Sequence, residues 1–343
     1  MLKISLSKLP ELCAFLHKEA QLMVHAKHKA GKVDYQEYKE GLEICLNQMT
    51  SRSAKDTFFP QVENLLTFKT EGKNLSLKQA LPPDHATILF GVRACDARSF
   101  KVLDMVFLAK PVDTYWKTRR DNCTIIGLAC SEPEETCFCS TFGIDATNPE
   151  ADVNTWVVGE ELYWAPVTAK GEALTEKVAV LFTDADAKPV EEQKAGTKNI
   201  LSLLPLANFK IAEKIPSQEL VVFNSKVWAD LSATCVTCCT CTYTCPTCHC
   251  YDIRDYQTNE NTTERFRCWD SCMASDFTKM AHGNPRKTKL ERFRQRYMHK
   301  LVYFPLNHEG VYSCVGCGRC LAKCPSNLNI VKVAKALEVS DDV

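Results

Sequence analysis

The sequence predicts two parts: an α/β N-terminal domain with a partly parallel sheet (residues 1–222), and a mainly α-helical, cysteine-rich domain (residues 223–343). Three observations carry this. Two apolar runs, "ATILFGV" (86–92) and "CTIIGLA" (123–129), flank "SFKVLDMVFL" (99–108), in which Phe100, Leu103 and Phe107 recur at helical spacing. After Val222 the composition shifts to cysteine, arginine and threonine. Beyond that point the spacing C-x2-C-x2-C-x3-C-P occurs twice.

Taken in order, the first twenty residues read as one amphipathic helix with Leu9, Leu12, Leu16 and Ala20 on a face. The two apolar runs read as buried strands joined by the helix between them. Some thirty residues separate the strand ends, which suits a right-handed parallel crossover. Residues 151–222 read as mixed, with short strands in "NTWVVG" and "EKVAVLF". "DADAKPVEEQKAG" reads as a charged surface loop or helix. In the second half, "DFTKMA" and "TKLERFRQRYMHKL" are rich in helix formers and predict a helical rather than a compact β-α-β-β-α-β arrangement.

The chain has 343 residues, about 45% of them apolar, and equal numbers of basic and acidic residues, 42 each. A neutral balance argues against a nucleic-acid-binding role. No apolar run reaches the length of a membrane span. The start "MLKISLSKLPELCAFL" is broken by charges and a proline where a secretory signal would be apolar. Together these predict a cytoplasmic protein. In that compartment twenty cysteines indicate metal or redox chemistry rather than disulfides.

The repeated spacing is that of bacterial 4Fe–4S ferredoxins, in which the fourth cysteine of each run serves the other cluster. Two intervening residues let three thiolates wrap one cube, and the proline turns the chain so that the fourth points away. The expected ligands are therefore Cys235, Cys238, Cys241 and Cys324 for a first cluster, and Cys314, Cys317, Cys320 and Cys245 for a second. Zinc sites use paired C-x2-C hooks instead. Cys95 and Cys130 close the two predicted parallel strands, so both lie at the carboxyl edge where open α/β sheets place ligands. With Cys137 and Cys139 on the next loop they form a set able to hold a third cluster. A redox-active Cys137–Cys139 pair and plain buried thiols are the alternatives. Cys13, Cys45, Cys123 and Cys239 read as structural thiols, with Cys239 pointing away from its neighbour Cys238.

"CPTCHCYDIRD", "CWDSCM", "RFRQRYMHK" and "CVGCGRCLAKCP", with "LFGVRACDARSFKVLD" and "LACSEPEETCFC" earlier, resemble the iron–sulfur subunit shared by cytoplasmic sulfhydrogenases (beta subunit) and anaerobic sulfite reductases (A subunit). The resemblance covers roughly residues 86–145 and 228–335. It implies an electron-relay subunit that passes electrons between a flavin/NAD(P)H-binding subunit and a terminal redox subunit of hydrogenase, sulfite reductase or heterodisulfide reductase type. It supports the third cluster. It also draws attention to Cys248, Cys250 and Cys272, for which His299 is the candidate fourth ligand and Cys268, expected one helical turn away, the substitute. Iron–sulfur, zinc and plain packing all remain open for this fourth set.

The chain has no G-x-G-x-x-G after a strand, no P-loop and no nucleophile–base pair, which agrees with a relay. The second function class is a standalone iron–sulfur reductase with its own substrate site. The basic run Arg286, Lys287, Lys289, Arg292, Arg294, Arg296 and Lys300 reads either as a solvated helix face or as cations that offset anionic clusters or dock an acidic partner.

Overall fold

The computed structural model describes residues 1–28 and 31–340. Its main sheet has eight strands in the order β10-β1-β9-β8-β7-β6-β2-β3. They are β1 (Leu2–Ser5), β2 (Gln21–Lys27), β3 (Val33–Glu37), β6 (Thr87–Val92), β7 (Cys123–Leu128), β8 (Val153–Val158), β9 (Glu161–Pro166) and β10 (Thr183–Asp184). The centre is parallel, through the pairs β2–β6, β6–β7 and β7–β8, and the edges are antiparallel. The expected crossover is present: β6 leads into α2 (Ala94–Phe107), then α3 (Thr114–Asp121), then β7, with Thr87 opposite Cys123.

Helix α1 (Leu9–Glu19) buries Leu9, Leu12 and Leu16 against one sheet face with Leu22, Val24, Phe90 and Trp164. On the other face α2 buries Phe100, Leu103 and Phe107 with Phe58, Phe59 and Trp116. Two local expectations are corrected. The first residues are strand, not helix: Leu2–Ser5 pairs with β9 and β10, and the helix begins only at Leu9, with Pro10 in its first turn. "EKVAVLF" is not a strand: it ends helix α4 (Ala169–Val178) and continues in a 3-10 turn. Leu174 and Val178, four residues apart, reach the same core cluster, and the Thr168 side chain caps the helix at Gly171 N. "DADAKPVEEQKAG" takes the helical alternative and enters α5 (Lys188–Leu203).

A second sheet has the order β11-β12-β4-β5, all antiparallel: β4 (Val62–Glu71), β5 (Asn74–Gln79), β11 (Tyr251–Asn259) and β12 (Thr262–Trp269). Chain segments nearly two hundred residues apart thus share hydrogen bonds. The stretch between the two cysteine runs therefore begins with a hairpin instead of helix, and "DFTKMA" is turns with a bridge between Met280 and Gly283. The basic stretch is helical as expected: Lys289–Met298, with a capping box between Thr288 and Glu291, runs into a π-helical turn, His299–Tyr303. A core of Phe138, Phe209, Ile215, Val222, Trp228, Phe293 and Tyr297 packs around it. No helix among the described residues is long and apolar enough to cross a membrane.

Candidate metal centres

Short ligand loops and stubs of helix position the cysteines. Cys239 and Gly318 adopt left-handed backbone immediately before the four-residue helices Thr240–Tyr243 and Arg319–Ala322, so each run reverses and its first three thiols converge. One cavity is lined by Cys235, Cys238, Cys241 and Cys324, with Phe293 and Tyr297 behind. A second is lined by Cys245, Cys314, Cys317 and Cys320, with Arg296 and Lys300. The structure thus brings together, around separate cavities, the two sets that crossed spacing predicts. Cys239 also lines the first cavity instead of turning away, although its thiol donates to Thr237 O at 3.4 Å.

Cys95, on the first turn of α2, and Cys130, just past β7, meet Cys137 and Cys139 at the carboxyl edge of the sheet. Cys317 of the second set adjoins them. The loops interlock: Phe138 N donates to Gly316 O at 2.9 Å, and a Cβ on Gly316 would lie 2.4 Å from Phe138 O. Burial pushes the thiols of Cys137, Cys139 and Cys314 up to about 12. Such groups stay protonated unless a metal takes the proton's place.

Cys248, Cys250 and Cys272 are also close. A hydrogen bond with Cys272 draws Cys250 down to about 7, and a bond with Cys248 holds Cys245 well below the usual thiol range. The His299 ring faces the Cys248–Cys250 stretch through His249, with ring centroids 5.4 Å apart, and burial lowers it to about 3, so it is neutral. Among the described residues His299 makes no hydrogen bond with these thiols. Cys268 lies on strand β12 opposite Asp252, so the helical argument for it as a substitute is corrected. Among the described residues no three His, Cys, Asp or Glu groups are gathered to hold a single metal ion.

Sequence reasoning did not single out the lysine at position 55, and it left the basic helix open to a solvated reading. Lys55 Nζ donates to Cys245 O at 3.3 Å and Cys248 O at 2.8 Å and stacks on Trp269. Arg296 reaches Cys248 Sγ at 3.3 Å and Cys241 O at 2.6 Å. Lys300 reaches Thr247 Oγ1 and Ser313 O. All three cations are at most 3% exposed. Among the described residues none has a carboxylate within ion-pair distance. Buried charges need counter-charge, and the groups beside these that can become anionic are the thiols of Cys245 and Cys248, the latter in contact with Arg296. Anionic thiolate-bound clusters fit that surround. Another buried cation, Arg319, is different: it forms a two-pronged pair with Asp96 and so ties the second cysteine run to α2 beside Cys95.

Residues 234–328 match the family model of the 4Fe–4S dicluster domain. The chain is 34% identical over 267 residues to sulfhydrogenase 2 subunit beta of Pyrococcus furiosus, covering 73% of each chain. No solved structure matches.

Proposed function

This chain belongs to the sulfhydrogenase beta-subunit family, and from that membership we propose that it is the iron–sulfur electron-relay subunit of a cytoplasmic multisubunit oxidoreductase. In this reading it passes single electrons between a flavin/NAD(P)H-binding subunit and a terminal redox subunit. The observation that carries the proposal is the trio of buried cations, Lys55, Arg296 and Lys300, packed beside Cys245 and Cys248, with Arg296 on the Cys248 sulfur and, among the described residues, no carboxylate partner.

We assign 4Fe–4S clusters to Cys235, Cys238, Cys241 and Cys324 and to Cys245, Cys314, Cys317 and Cys320. A third is assigned to Cys95, Cys130, Cys137 and Cys139, and a fourth to Cys248, Cys250 and Cys272 with His299. Such clusters carry one electron at a time. The chain's own task is to hold them in sequence and keep water from the inner ones. Cys241 and Cys317 are the natural junctions, since each lies against thiols of a neighbouring set.

The test is anaerobic purification with iron analysis and reconstitution. The protein alone should show no turnover with hydrogen, sulfite or NAD(P)H, and should restore electron flow between its co-purifying flavin and terminal subunits. Turnover by the isolated chain would overturn the relay reading in favour of a standalone reductase.

Substitutions at two positions test the outer assignments. Cys95→Ala should remain soluble, because the main sheet has its own apolar core on both faces. It should lose about four iron atoms per chain, one cube, while the C-terminal pair stays reducible. Unchanged iron would remove the third cluster. His299→Ala should loosen or lose the fourth cluster, whereas His299→Cys should keep its iron and lower its potential, because a thiolate adds negative charge. If iron is unchanged in the alanine variant, His299 is a packing residue. If zinc leaves instead, the site is a zinc site.

A further inference from the structure

Lys300 stands on the π-helical turn His299–Tyr303 and is 3% exposed. Its Nζ donates to Thr247 Oγ1 at 2.9 Å and to Ser313 O at 2.6 Å. Thr247 is two residues past Cys245, and Ser313 directly precedes Cys314. The ammonium therefore lies between the two chain segments that bring Cys245 and Cys314 to one cavity, and Lys300 lines that cavity together with Arg296.

The charge balance differs from set to set. Around Cys95, Cys130, Cys137 and Cys139, the Arg319 guanidinium is neutralised by Asp96, which leaves one cation, Arg93, held on the carbonyls of Ala129 and Leu46 beside the Cys130 thiol. The set of Cys235, Cys238, Cys241 and Cys324 meets Arg296 through the Cys241 carbonyl, and its Cys238 is exposed to screening water. Among the described residues, the set of Cys245, Cys314, Cys317 and Cys320 shares one enclosed cavity with two cations that lack a carboxylate, Lys300 and Arg296, whereas the set of Cys248, Cys250 and Cys272 meets Arg296 at Cys248 Sγ and Lys55 through the Cys248 carbonyl.

We propose that Lys300 raises the reduction potential of the centre bounded by Cys245, Cys314, Cys317 and Cys320 and makes it the first of the relay to take an electron. The proposal rests on the iron–sulfur reading above. Reduction brings in one electron from the donor and no proton, so the centre becomes more negative by one unit and returns to its starting charge when the electron leaves. A fixed ammonium in a low-dielectric surround stabilises the more negative state.

The experiment is a dithionite titration of the full iron-loaded chain, followed by EPR. Lys300→Gln keeps hydrogen-bond donors near Thr247 and Ser313 but removes the charge. It should lower the reduction equilibrium of that centre by at least about tenfold, which is about 59 mV for one electron, with iron content unchanged. Lys300→Arg restores the charge and should stay within about threefold of the unsubstituted protein. Equal midpoints in Lys300→Gln and the unsubstituted protein would overturn the proposal. So would an equal drop in both variants, which would mean that side-chain shape and not charge sets the potential.

If either variant fails to fold, Cys314→Ser, which keeps an oxygen in the place of the thiolate, still decides. The first EPR signal to appear on titration must change in that variant, and a first signal indifferent to it overturns the assignment. Fewer than about eight irons in the unsubstituted chain would instead defeat the two-cluster reading itself, a failure visible before any titration.

Discussion

Cys320→Ala is expected to abolish folding around the cysteine runs rather than to silence one centre. Cys320 lines a cavity with Cys245, Cys314 and Cys317, while Cys324, four residues on, lines the other. Each run therefore serves both centres, and losing one releases the chain that closes the other. The local elements cannot compensate. Arg319–Ala322 and Thr240–Tyr243 are single turns of helix, and such stubs are unstable alone. Without a centre, Arg296 and Lys300 would stay buried with no counter-charge. Metal binding in such a region is largely its folding free energy, and its loss should exceed the roughly 5–15 kcal/mol that a domain has to spare. The variant should aggregate or lose helical circular dichroism, together with about eight irons, two cubes. A soluble Cys320→Ala protein with native helicity and an intact first centre would count decisively against crossed ligation.

What the sequence made legible follows the reach of each signal. The ligand sets depend on spacings of two and three residues, and a chain that must wrap a cube advertises that locally. The parallel crossover was legible because β6 and β7 are buried on both faces and read as unbroken apolar runs. The second sheet was not: β5 and β11 are largely exposed and polar, "NLSLKQ" and "YDIRDYQTN", and what makes them strands is pairing with segments distant in sequence. "EKVAVLF" misled because a short apolar run does not distinguish a strand from the buried end of a helix. The basic helix hid its role for a different reason. Arg292, Arg294 and Arg296 look alike in sequence, yet Arg294 stacks on Phe223, Arg292 caps carbonyls and Arg296 reaches Cys248 Sγ. Only the fold decides which of them meets sulfur.

Asp96→Ala should be the most costly substitution outside the cysteines. Asp96 is fully buried and accepts from both terminal nitrogens of Arg319, at 2.7 Å each. Arg319 Nε and Nη2 are held by Thr50 O and Oγ1, so the guanidinium cannot swing to water when its partner is lost. Removing one member of such a pair costs about 3–5 kcal/mol, because the remaining charge is left desolvated. The damage should spread in both directions from the pair. Asp96 follows Cys95 directly, and Arg319 stands between Cys317 and Cys320, so the third set and the second should both hold iron less tightly. Asp96→Asn keeps the shape and should lose less. The double variant Asp96→Leu with Arg319→Met removes both charges and should recover much of the loss, so the two single costs should not add. Denaturant midpoints at constant m, read alongside iron content, measure these proteins together with the single Asp96→Leu and Arg319→Met variants that complete the cycle. A loss below about 1 kcal/mol for Asp96→Ala, or additive costs in the double variant, would show that the pair does not tie the cysteine run to the sheet and that the interlocked glycine loop at Gly316 alone holds the two together.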